Sequence, residues 1–268
     1  MQEAMDRTQT FRDAMDPSRA AALHATLGLD GPPPKARDAL PPFFHQVYFW
    51  DPQPAPALGR DGHPALGGFI PDMGLPRRMW AGGRLTFYGP LRLGMPAEKT
   101  TTIAAVERKQ GRSGPLGFIT LCHNIVQGGV LRVREEQDLV YREDPRPGAP
   151  QPAPPEAPGG AEDSSEAHFT PTLLFRYSAL TFNGHRIHYD RDYARDVEGY
   201  GGLVVHGPLL AQLLMLRAEA HAPLRAFRFR ARSALIDTEA ATLCRAGTTH
   251  WVAAPDGRLC MGAEAEHA

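Results

Sequence analysis

The chain has 268 residues, a length that fits one large domain or two small ones. Hydrophobic residues make up 42% of it and charged residues 22%, which excludes a coiled coil, a collagen and a wholly disordered chain. The 29 basic and 30 acidic residues nearly cancel, so the composition gives no sign of nucleic acid as a partner.

No segment predicts a membrane span or a secreted protein. The longest apolar run, residues 203–216, is interrupted by polar and helix-breaking residues and falls short of the ~18 apolar residues that a membrane helix needs. The N-terminal residues carry scattered charge without an apolar core, which argues against a signal peptide. Three widely spaced cysteines, Cys122, Cys244 and Cys260, predict neither disulfides nor a zinc motif. We therefore expect a cytoplasmic, metal-free protein that has no membrane partner.

The first predicted element is a helix over Pro17–Leu27. Asp16 supplies a side-chain cap, Pro17 suits the first helical position, and Gly28 ends the helix. We assign this helix to an N-terminal extension, residues 1–40, that precedes the first folded block.

The N-terminal block, residues 41–143, ends in a predicted β-meander. Turn residues at Gly111–Pro115 and Gly128–Gly129 separate its strand-like runs. The predicted strands are Thr100–Arg108, Leu116–Gln127 and Val130–Tyr141.

A proline-rich stretch, residues 144–166, follows this block. Glycine, alanine and acidic residues separate its prolines, and such a segment favours extended conformations and buries little surface. We interpret it as a linker to a C-terminal block, residues 167–268. Two blocks of nearly equal length on either side of a linker indicate a duplicated fold.

The C-terminal block is predicted to hold one strong helix among its strands. The helix, Pro208–His221, is apolar almost all round, which is typical of a buried helix. A buried helix wrapped by an antiparallel sheet is the hotdog architecture. The predicted strands are Leu173–Tyr177, Arg225–Ser233, Glu239–Ala246, His250–Val252 and Leu259–Ala265.

The corresponding stretch of the N-terminal block, Gly62–Pro76, is rich in glycine and proline and predicts no helix. We therefore expect an α+β fold, a double hotdog, in which two antiparallel sheets each wrap a central helix and the N-terminal one is degenerate. Chemistry is then expected in the C-terminal half.

Two segments of the C-terminal block carry side chains suited to chemistry. Residues 182–190 read Phe-Asn-Gly-His-Arg-Ile-His-Tyr-Asp, and residues 201–208 read Gly-Gly-Leu-Val-Val-His-Gly-Pro and lead into the predicted buried helix. Together they resemble the MaoC-like enoyl-thioester hydratases and dehydratases, whose motif Asp-x-Asn-Pro-x-His-x-Asp is followed by a helix-entry Val-His-Gly.

Residues 77–83 and 136–142 make the chain similar to one branch of this family. That branch holds double-hotdog proteins: the mesaconyl-C4-CoA hydratases and the mitochondrial type 2 3-hydroxyacyl-thioester dehydratases. The resemblance covers about residues 41–143 and 173–266.

The resemblance implies catalytic residues position by position. His188 occupies the place of the family's catalytic histidine, and Gly207 that of the glycine whose backbone N–H binds the thioester oxygen. Asn183 stands where the family has its catalytic aspartate, and an amide does not take up a proton at neutral pH. Two roles stay open for Asn183: holding water through its carbonyl oxygen, or donating to the substrate from its amide group.

A histidine and a helix N-terminus suit the addition of water to an α,β-unsaturated thioester. A neutral imidazole takes a proton from water, and an N–H at the positive end of a helix stabilises the charge that builds on the thioester oxygen. No metal or cofactor is needed, and we interpret the histidines as proton-transfer or hydrogen-bonding groups, since no paired carboxylates accompany them. The residues predicted to bind substrate are His185, Arg186, Tyr189, His206 and Trp80.

The sequence predicts a hydro-lyase that binds an acyl-CoA thioester, with a short branched or dicarboxylic chain such as mesaconyl-C4-CoA preferred. Three alternatives stay open: a 3-hydroxyacyl-ACP or 3-hydroxyacyl-CoA dehydratase of fatty-acid metabolism, a hotdog thioesterase, and a non-catalytic acyl-CoA-binding protein. A thioesterase would need a carboxylate near the thioester carbon, so Asn183 in place of aspartate weakens that alternative. The residues do not choose between CoA and a carrier protein, nor between a monomer and a homo-oligomer.

Overall fold

Ten antiparallel strands form one continuous sheet in the described part of the protein. The computed structural model describes Met5 and residues 7–111, 114–144 and 153–268. The N-terminal half contributes β1 (Thr8–Asp13), β2 (Arg77–Phe87), β3 (Ala97–Gly111), β4 (Gly114–Gln127) and β5 (Val130–Arg142). The C-terminal half contributes β6 (Asp163–Ala167), β7 (Leu224–Ala231), β8 (Ala241–Ala246), β9 (Thr249–Ala253) and β10 (Leu259–His267).

The two halves have the same topology. The strand order is β1-β3-β4-β5-β2 in the N-terminal half and, read from the outer edge inward, β6-β8-β9-β10-β7 in the C-terminal half. β2 and β7 pair antiparallel, from Gly82 opposite Arg230 to Thr86 opposite Ala226, and so join the halves. The repeated order confirms the duplicated hotdog fold and shows that its two sheets are fused into one.

The first helix, α1 (Pro17–Leu27), forms where its caps predict it. The side chain of Asp16 accepts the backbone N–H of Ser18 at 2.9 Å. Gly28 ends the helix in the left-handed region, at a φ of 63°.

The strand before this helix was not predicted. β1 pairs with β3 along its whole length, from Thr8 opposite Thr102 to Asp13 opposite Ala97. β1 and α1 are therefore the first strand and helix of the N-terminal hotdog, and the prediction of a separate extension is wrong. Phe11 is the only large apolar residue of β1, so the sequence shows no alternating apolar face there.

The predicted linker is partly structured. Residues 145–152 lie outside the described residues, but β6, at the end of the stretch, pairs with β8. Ahead of β6, the Pro155 carbonyl accepts the Leu259 N–H at 2.8 Å, and the Ala157 N–H donates to the Gly257 carbonyl at 2.8 Å. The prediction of an undocked linker is therefore wrong from Pro155 onward. Proline lacks a backbone donor but keeps its carbonyl acceptor, so a proline-rich chain can still dock on neighbouring backbone.

The predicted strand Leu173–Tyr177 is instead part of a helix, α2 (Pro171–Leu180). The hydroxyl of Thr170 accepts the backbone N–H of Leu173 at 3.2 Å, and Pro171 occupies the first turn. The period of a short apolar run does not show whether it forms a strand or a helix. The capping residue Thr170, followed by Pro171, is the signal that indicates a helix here.

α3 (Gly207–His221) is the central helix of the C-terminal half, as predicted. Its Leu209 and Leu214 are completely buried, in contact with the core that the sheet covers. In the described N-terminal half, only 3₁₀ turns at Phe44–Val47 and Ala55–Ala57 lie between α1 and β2, which confirms that this hotdog is degenerate. Neither α3 nor any other described helix combines the length and the apolar character that a membrane crossing requires.

The loop that stands in place of the N-terminal helix reaches the other half. A Cβ atom added at Gly62 would lie 2.1 Å from the carbonyl oxygen of Gly184, and one added at Gly184 would lie 2.6 Å from the carbonyl oxygen of Gly62. The carbonyl of Asp61 also accepts the backbone N–H of Arg186 at 2.9 Å. The loop is thereby fixed against residues 183–188, which hold most of the predicted site.

We predict that Gly62→Ala destabilises the protein more than Gly67→Ala. The two glycines have φ angles of 86° and 96°, so both variants strain the backbone by about 1 kcal/mol. Only at Gly62 does an added Cβ meet another backbone. This clash should lower the free energy of unfolding by a further ~1–3 kcal/mol in urea denaturation. Equal losses in the two variants would show that the halves do not touch here.

Candidate active site

Asn183 holds the tight turn that follows α2. Its side-chain Oδ1 accepts the backbone N–H of His185 at 3.0 Å, and its own backbone N–H donates to the Ser178 carbonyl at 2.8 Å. A single 3₁₀ turn over Arg186–His188 comes next. Asn183 thus shapes the backbone that carries His185 and His188, and its side-chain oxygen is already engaged in this task.

His188 is buried in a defined tautomer. Its Nδ1 lies 2.7 Å from the carbonyl oxygen of Val204, and because a carbonyl only accepts, Nδ1 carries the proton. Nε2 then holds a lone pair, and it makes no hydrogen bond to the described residues. Burial lowers the pKa of His188 to about 3, outweighing the Val204 hydrogen bond, which raises it. His188 is therefore a neutral imidazole at pH 7, with Nε2 able to accept a proton.

A cavity of about 580 Å³ lies between the two halves. The predicted residues that line it are Trp80, Asn183, His185, His188 and Gly207. Among the cavity residues that the N-terminal half contributes and that were not predicted are His63 and Arg78.

His206 lies behind His188 and is not in the cavity wall. The two imidazole rings stack with their centroids 3.6 Å apart and their planes 20° from parallel. Nε2 of His206 forms a hydrogen bond of 2.8 Å with the hydroxyl of Ser178. Burial, and then the neighbouring His188 and His185, hold the pKa of His206 well below its usual range. His206 therefore packs against the His188 ring and does not line the cavity, where the sequence predicted a substrate contact.

Gly207 begins α3 at the cavity. Its N–H belongs to the first turn and has no acceptor among the described residues, and the following Pro208 has no N–H at all. The positive end of the helix thus presents a free donor there. Trp80 lines the same cavity. Its indole N–H donates to the Gly82 carbonyl at 2.8 Å, so the ring offers the cavity an apolar surface and no hydrogen-bond donor.

The N-terminal half adds a carboxylate and an imidazole to the site. Nδ1 of His63 lies 3.0 Å from Oδ2 of Asp61, and the backbone N–H of His63 donates to Oδ1 of Asp61 at 3.1 Å. Burial alone would raise the pKa of the Asp61 carboxyl, but the hydrogen bonds and charge of His63 outweigh it and hold that pKa below its usual range. Burial, and then the charge of Arg78, lower the pKa of His63. Asp61 is thus an anion beside a neutral imidazole.

His185 lies between the two other histidines of the cavity. Its ring centroid is 4.5 Å from that of His63 and 5.3 Å from that of His188. Burial, and then the charges that His63 and His188 would carry, lower the pKa of His185 to about 2. At neutral pH the cavity therefore holds three neutral imidazoles in a row.

Arg78 brings to the cavity a positive charge that has no partner among the described residues. Its neighbour Arg77 forms an ion pair of 2.8 Å with Glu198 and lies over the ring of Tyr200. Arg78 forms no ion pair or hydrogen bond through its side chain within residues 7–111, 114–144 and 153–268. Its charge lowers the pKa of His185, although less than burial and the other histidines do.

Two predicted substrate-binding residues point elsewhere. The guanidinium of Arg186 pairs with Asp190 at 2.7 Å and lies 4.2 Å from the ring centroid of Tyr193. The hydroxyl of Tyr189 donates to the Gly184 carbonyl at 2.7 Å. Neither side chain lines the cavity. Successive residues of a 3₁₀ turn project in different directions, so the motif that carries His188 does not bring all its neighbours to the site.

The fold, with its cavity between two similar halves, is that of a double hotdog. HtdX of Mycobacterium tuberculosis superposes with a TM-score of 0.70 over 98% of this chain and 100% of that chain, at 18% identity. A second Mycobacterium tuberculosis protein, described as a double hotdog, gives a TM-score of 0.59 over 97% of this chain and 95% of that chain, at 14% identity. At these identities the likeness is one of fold.

The chain belongs to the family of type 2 hydroxyacyl-thioester dehydratases, whose family model matches residues 43–237. The mesaconyl-C(4)-CoA hydratase of Chloroflexus aurantiacus is 48% identical over 236 residues, which cover 86% of this chain and 83% of that protein. The resemblance read from the motifs is thereby confirmed. The matched range includes every cavity residue discussed above.

We predict that His188→Gln weakens the acid dependence of stability. A histidine that is protonated below about pH 6.5 in the unfolded chain but stays neutral when folded destabilises the protein as pH falls from 6.5 toward its folded pKa of about 3. Each such histidine contributes a slope of about 1.4 kcal/mol per pH unit in that window. Urea denaturation near pH 7 and near pH 5 measures it, with the exposed His168→Gln as control. An unchanged slope in His188→Gln would mean that His188 protonates freely in the folded protein.

Proposed function

We propose that the protein is a hydro-lyase that adds water reversibly across the α,β double bond of an enoyl-CoA thioester. One observation carries this proposal: the cavity that holds the free Nε2 of neutral His188 also holds the unpartnered N–H of Gly207. The imidazole is suited to take a proton, and the amide at the helix terminus is suited to stabilise an oxyanion. Hydration of an enoyl thioester needs both.

Each step then has a group to perform it. Nε2 of His188 takes a proton from water as the water oxygen forms its bond to C3. The electron pair of the C2–C3 double bond moves onto the thioester oxygen, where the N–H of Gly207 stabilises the charge. The imidazolium returns its proton to C2, which completes the 3-hydroxyacyl thioester. Burial, which depresses the pKa of His188, favours the return of that proton.

The specific substrate that we propose is mesaconyl-C4-CoA, an enoyl thioester with a free carboxylate. The unpartnered Arg78 supports a dicarboxylic chain, because a carboxylate in the cavity would pair with its guanidinium. The 48% identity to a mesaconyl-C(4)-CoA hydratase supports the same choice. Two unit charges about 4 Å apart attract each other by about 4 kcal/mol near a protein surface, so this pair would strongly favour one chain type over another.

A second candidate is a 3-hydroxyacyl-thioester dehydratase that acts on unsubstituted chains. The family match over residues 43–237 favours it. The same His188 and Gly207 would catalyse the reverse reaction. This candidate leaves Arg78 without a partner, and we therefore rank it second.

Mass spectrometry of three reactions tests the proposal. Mesaconyl-C4-CoA, crotonyl-CoA and the saturated hexanoyl-CoA are each incubated with the protein. A hydrated thioester from mesaconyl-C4-CoA, formed faster than from crotonyl-CoA, is the expected result. Release of free CoA and free acid would identify a thioesterase, and three unchanged thioesters would identify a binding protein; either outcome would overturn the proposal.

We predict that His188→Ala lowers kcat for hydration by about two to four orders of magnitude, the usual contribution of a general base. The circular dichroism spectrum should stay native, because the side chain makes a single hydrogen bond, to Val204. His168→Ala, at an exposed position, should keep the activity of the unmodified protein. Retention of most activity in a folded His188→Ala would remove His188 from the mechanism.

We predict that Arg78→Gln acts selectively on a dicarboxylic substrate. A hydrogen bond to a charged group contributes about 1.5–3 kcal/mol, so kcat/KM for mesaconyl-C4-CoA should fall about tenfold to a hundredfold. The value for crotonyl-CoA should change little. Arg225→Gln, which removes an exposed arginine paired with Glu266, is the matched control. Equal losses on both substrates in Arg78→Gln would show that Arg78 does not bind the free carboxylate.

A further inference from the structure

The proposed mechanism uses one histidine of a row of three and leaves the Asp61–His63 pair without a role. This pair comes from the loop of the N-terminal half that stands in place of the missing helix. Two hydrogen bonds to one carboxylate, at 3.0 and 3.1 Å, hold both the ring and the backbone of His63. Because the carboxylate only accepts, Nδ1 of His63 carries the proton and Nε2 holds a lone pair.

His63 and His188 therefore have the same tautomer and the same open atom. In His188 a backbone carbonyl fixes the proton on Nδ1, and in His63 a carboxylate does. Both side chains line the cavity, and neither Nε2 forms a hydrogen bond to the described residues. Two histidines that can accept a proton at Nε2, His63 from the N-terminal half and His188 from the C-terminal half, therefore line the same cavity.

The spacing of this group fits a bound water molecule. Asp61, His63 and His185 each offer one polar atom, and these atoms lie within 4.8 Å of one another. The two acceptors of a single water lie about 4.5 Å apart, because two hydrogen bonds of about 2.8 Å leave its oxygen at an angle of about 105°. Polar atoms of His63 and His185 are therefore close enough for one water to contact both rings.

Backbone contacts fix this pair relative to His188. The carbonyl of Asp61 accepts the N–H of Arg186, and the backbones of Gly62 and Gly184 are too close for any side chain between them. Arg186 lies two residues before His188 in the same 3₁₀ turn. The loop with His63 and the turn with His188 thus form one backbone unit, which is what a shared catalytic task requires.

We propose that His63 is a second catalytic histidine and that Asp61 is the residue that positions it. The inference rests on the proposed hydration. Nε2 of His188 takes the proton that leaves the attacking water, and Nε2 of His63 accepts the hydrogen that stays on the oxygen. The water oxygen forms its bond to C3, the proton on His188 passes to C2, and the retained hydrogen becomes that of the 3-hydroxyl group. His63 thereby orients the water. Asn183 does not perform this task, because it has no carboxylate and its side-chain oxygen already accepts the N–H of His185.

The test separates the open nitrogen of His63 from its structural contacts. His63→Asn keeps an N–H donor near the place of Nδ1, so the bond to Asp61 and the loop are retained, but it has no Nε2. We expect kcat for hydration to fall by the order of a hundredfold, with KM and the urea midpoint nearly unchanged, since the water is no longer aligned. A purely structural His63 would give the opposite pattern, with kcat kept in His63→Asn and stability lost in His63→Ala.

Asp61→Asn tests the tautomer. The asparagine amide donates to Nδ1, which moves the proton of His63 to Nε2 and turns the acceptor facing the water into a donor. Activity should then fall at least as far as in His63→Asn. The matched control is His168→Asn, which alters an exposed histidine paired with Glu166 at 2.6 Å and should leave kcat unchanged.

Three outcomes would overturn the inference. Full activity of His63→Asn, with His188→Ala inactive, would remove His63 while leaving the hydratase proposal intact. An unmodified protein that hydrates no enoyl-CoA would overturn the hydratase proposal, and this inference with it. Loss of activity after dialysis against EDTA, restored by Zn²⁺, would show that Asp61, His63 and His185 hold a metal ion instead of a water.

Discussion

The hydrogen bond from Nδ1 of His188 to the carbonyl of Val204 is the interaction on which the site depends. It fixes the proton on one nitrogen and leaves the other as an acceptor in the cavity. The carbonyl is itself held, because the N–H of Val204 donates to Ile187 at 3.0 Å and that of Val205 donates to Leu235 at 2.9 Å. Three residues after Val204 the chain reaches Gly207, so one piece of backbone sets both the base and the oxyanion donor.

The two halves divide the work of the site. The C-terminal hotdog keeps its central helix and provides the helix terminus and His188. The N-terminal hotdog has no such helix in its described residues, and its loop and β2 provide His63, Arg78 and Trp80 to the facing wall. A β-bulge interrupts the β2–β5 pairing between Trp80 and Gly82, and such irregularities commonly redirect side chains next to active sites. Loss of one helix in a duplicated fold thus leaves room for a second set of functional groups.

The elements that could be predicted from the sequence are those with strong local signals. The caps of α1, the turns of the meander β3–β5 and the apolar circumference of α3 each determine structure within a few residues. β1 lacks an alternating apolar face, and the apolar run in α2 fits the period of a strand as well as that of a helix. The conformation of both segments is therefore determined by their contacts with the rest of the fold.

The site follows the same division. His188 and Gly207, which both line the cavity, could be predicted as site residues because each lies in a contiguous motif next to an element boundary. Asp61 and His63 lie more than a hundred residues earlier in the chain, and the backbone contacts of Asp61 and Gly62 with residues 184–186 bring them to His185. Local spacing does not encode such a contact, although an acid and a histidine two residues apart in a glycine-rich loop were a visible sign. The 3₁₀ turn directs the side chains of Arg186 and Tyr189 to Asp190 and Gly184, so they do not line the cavity.

The most direct measurement is the fate of oxygen-18 from labelled water. The protein and its His188→Ala variant are incubated with mesaconyl-C4-CoA in oxygen-18 water, and the intact thioester is examined by mass spectrometry. We expect the thioester to gain one labelled water, with the label in its new hydroxyl group, in the presence of the unmodified protein and to stay unchanged with the variant. Label in a released free acid, or equal hydration by both proteins, would contradict a hydratase that uses His188 as its base.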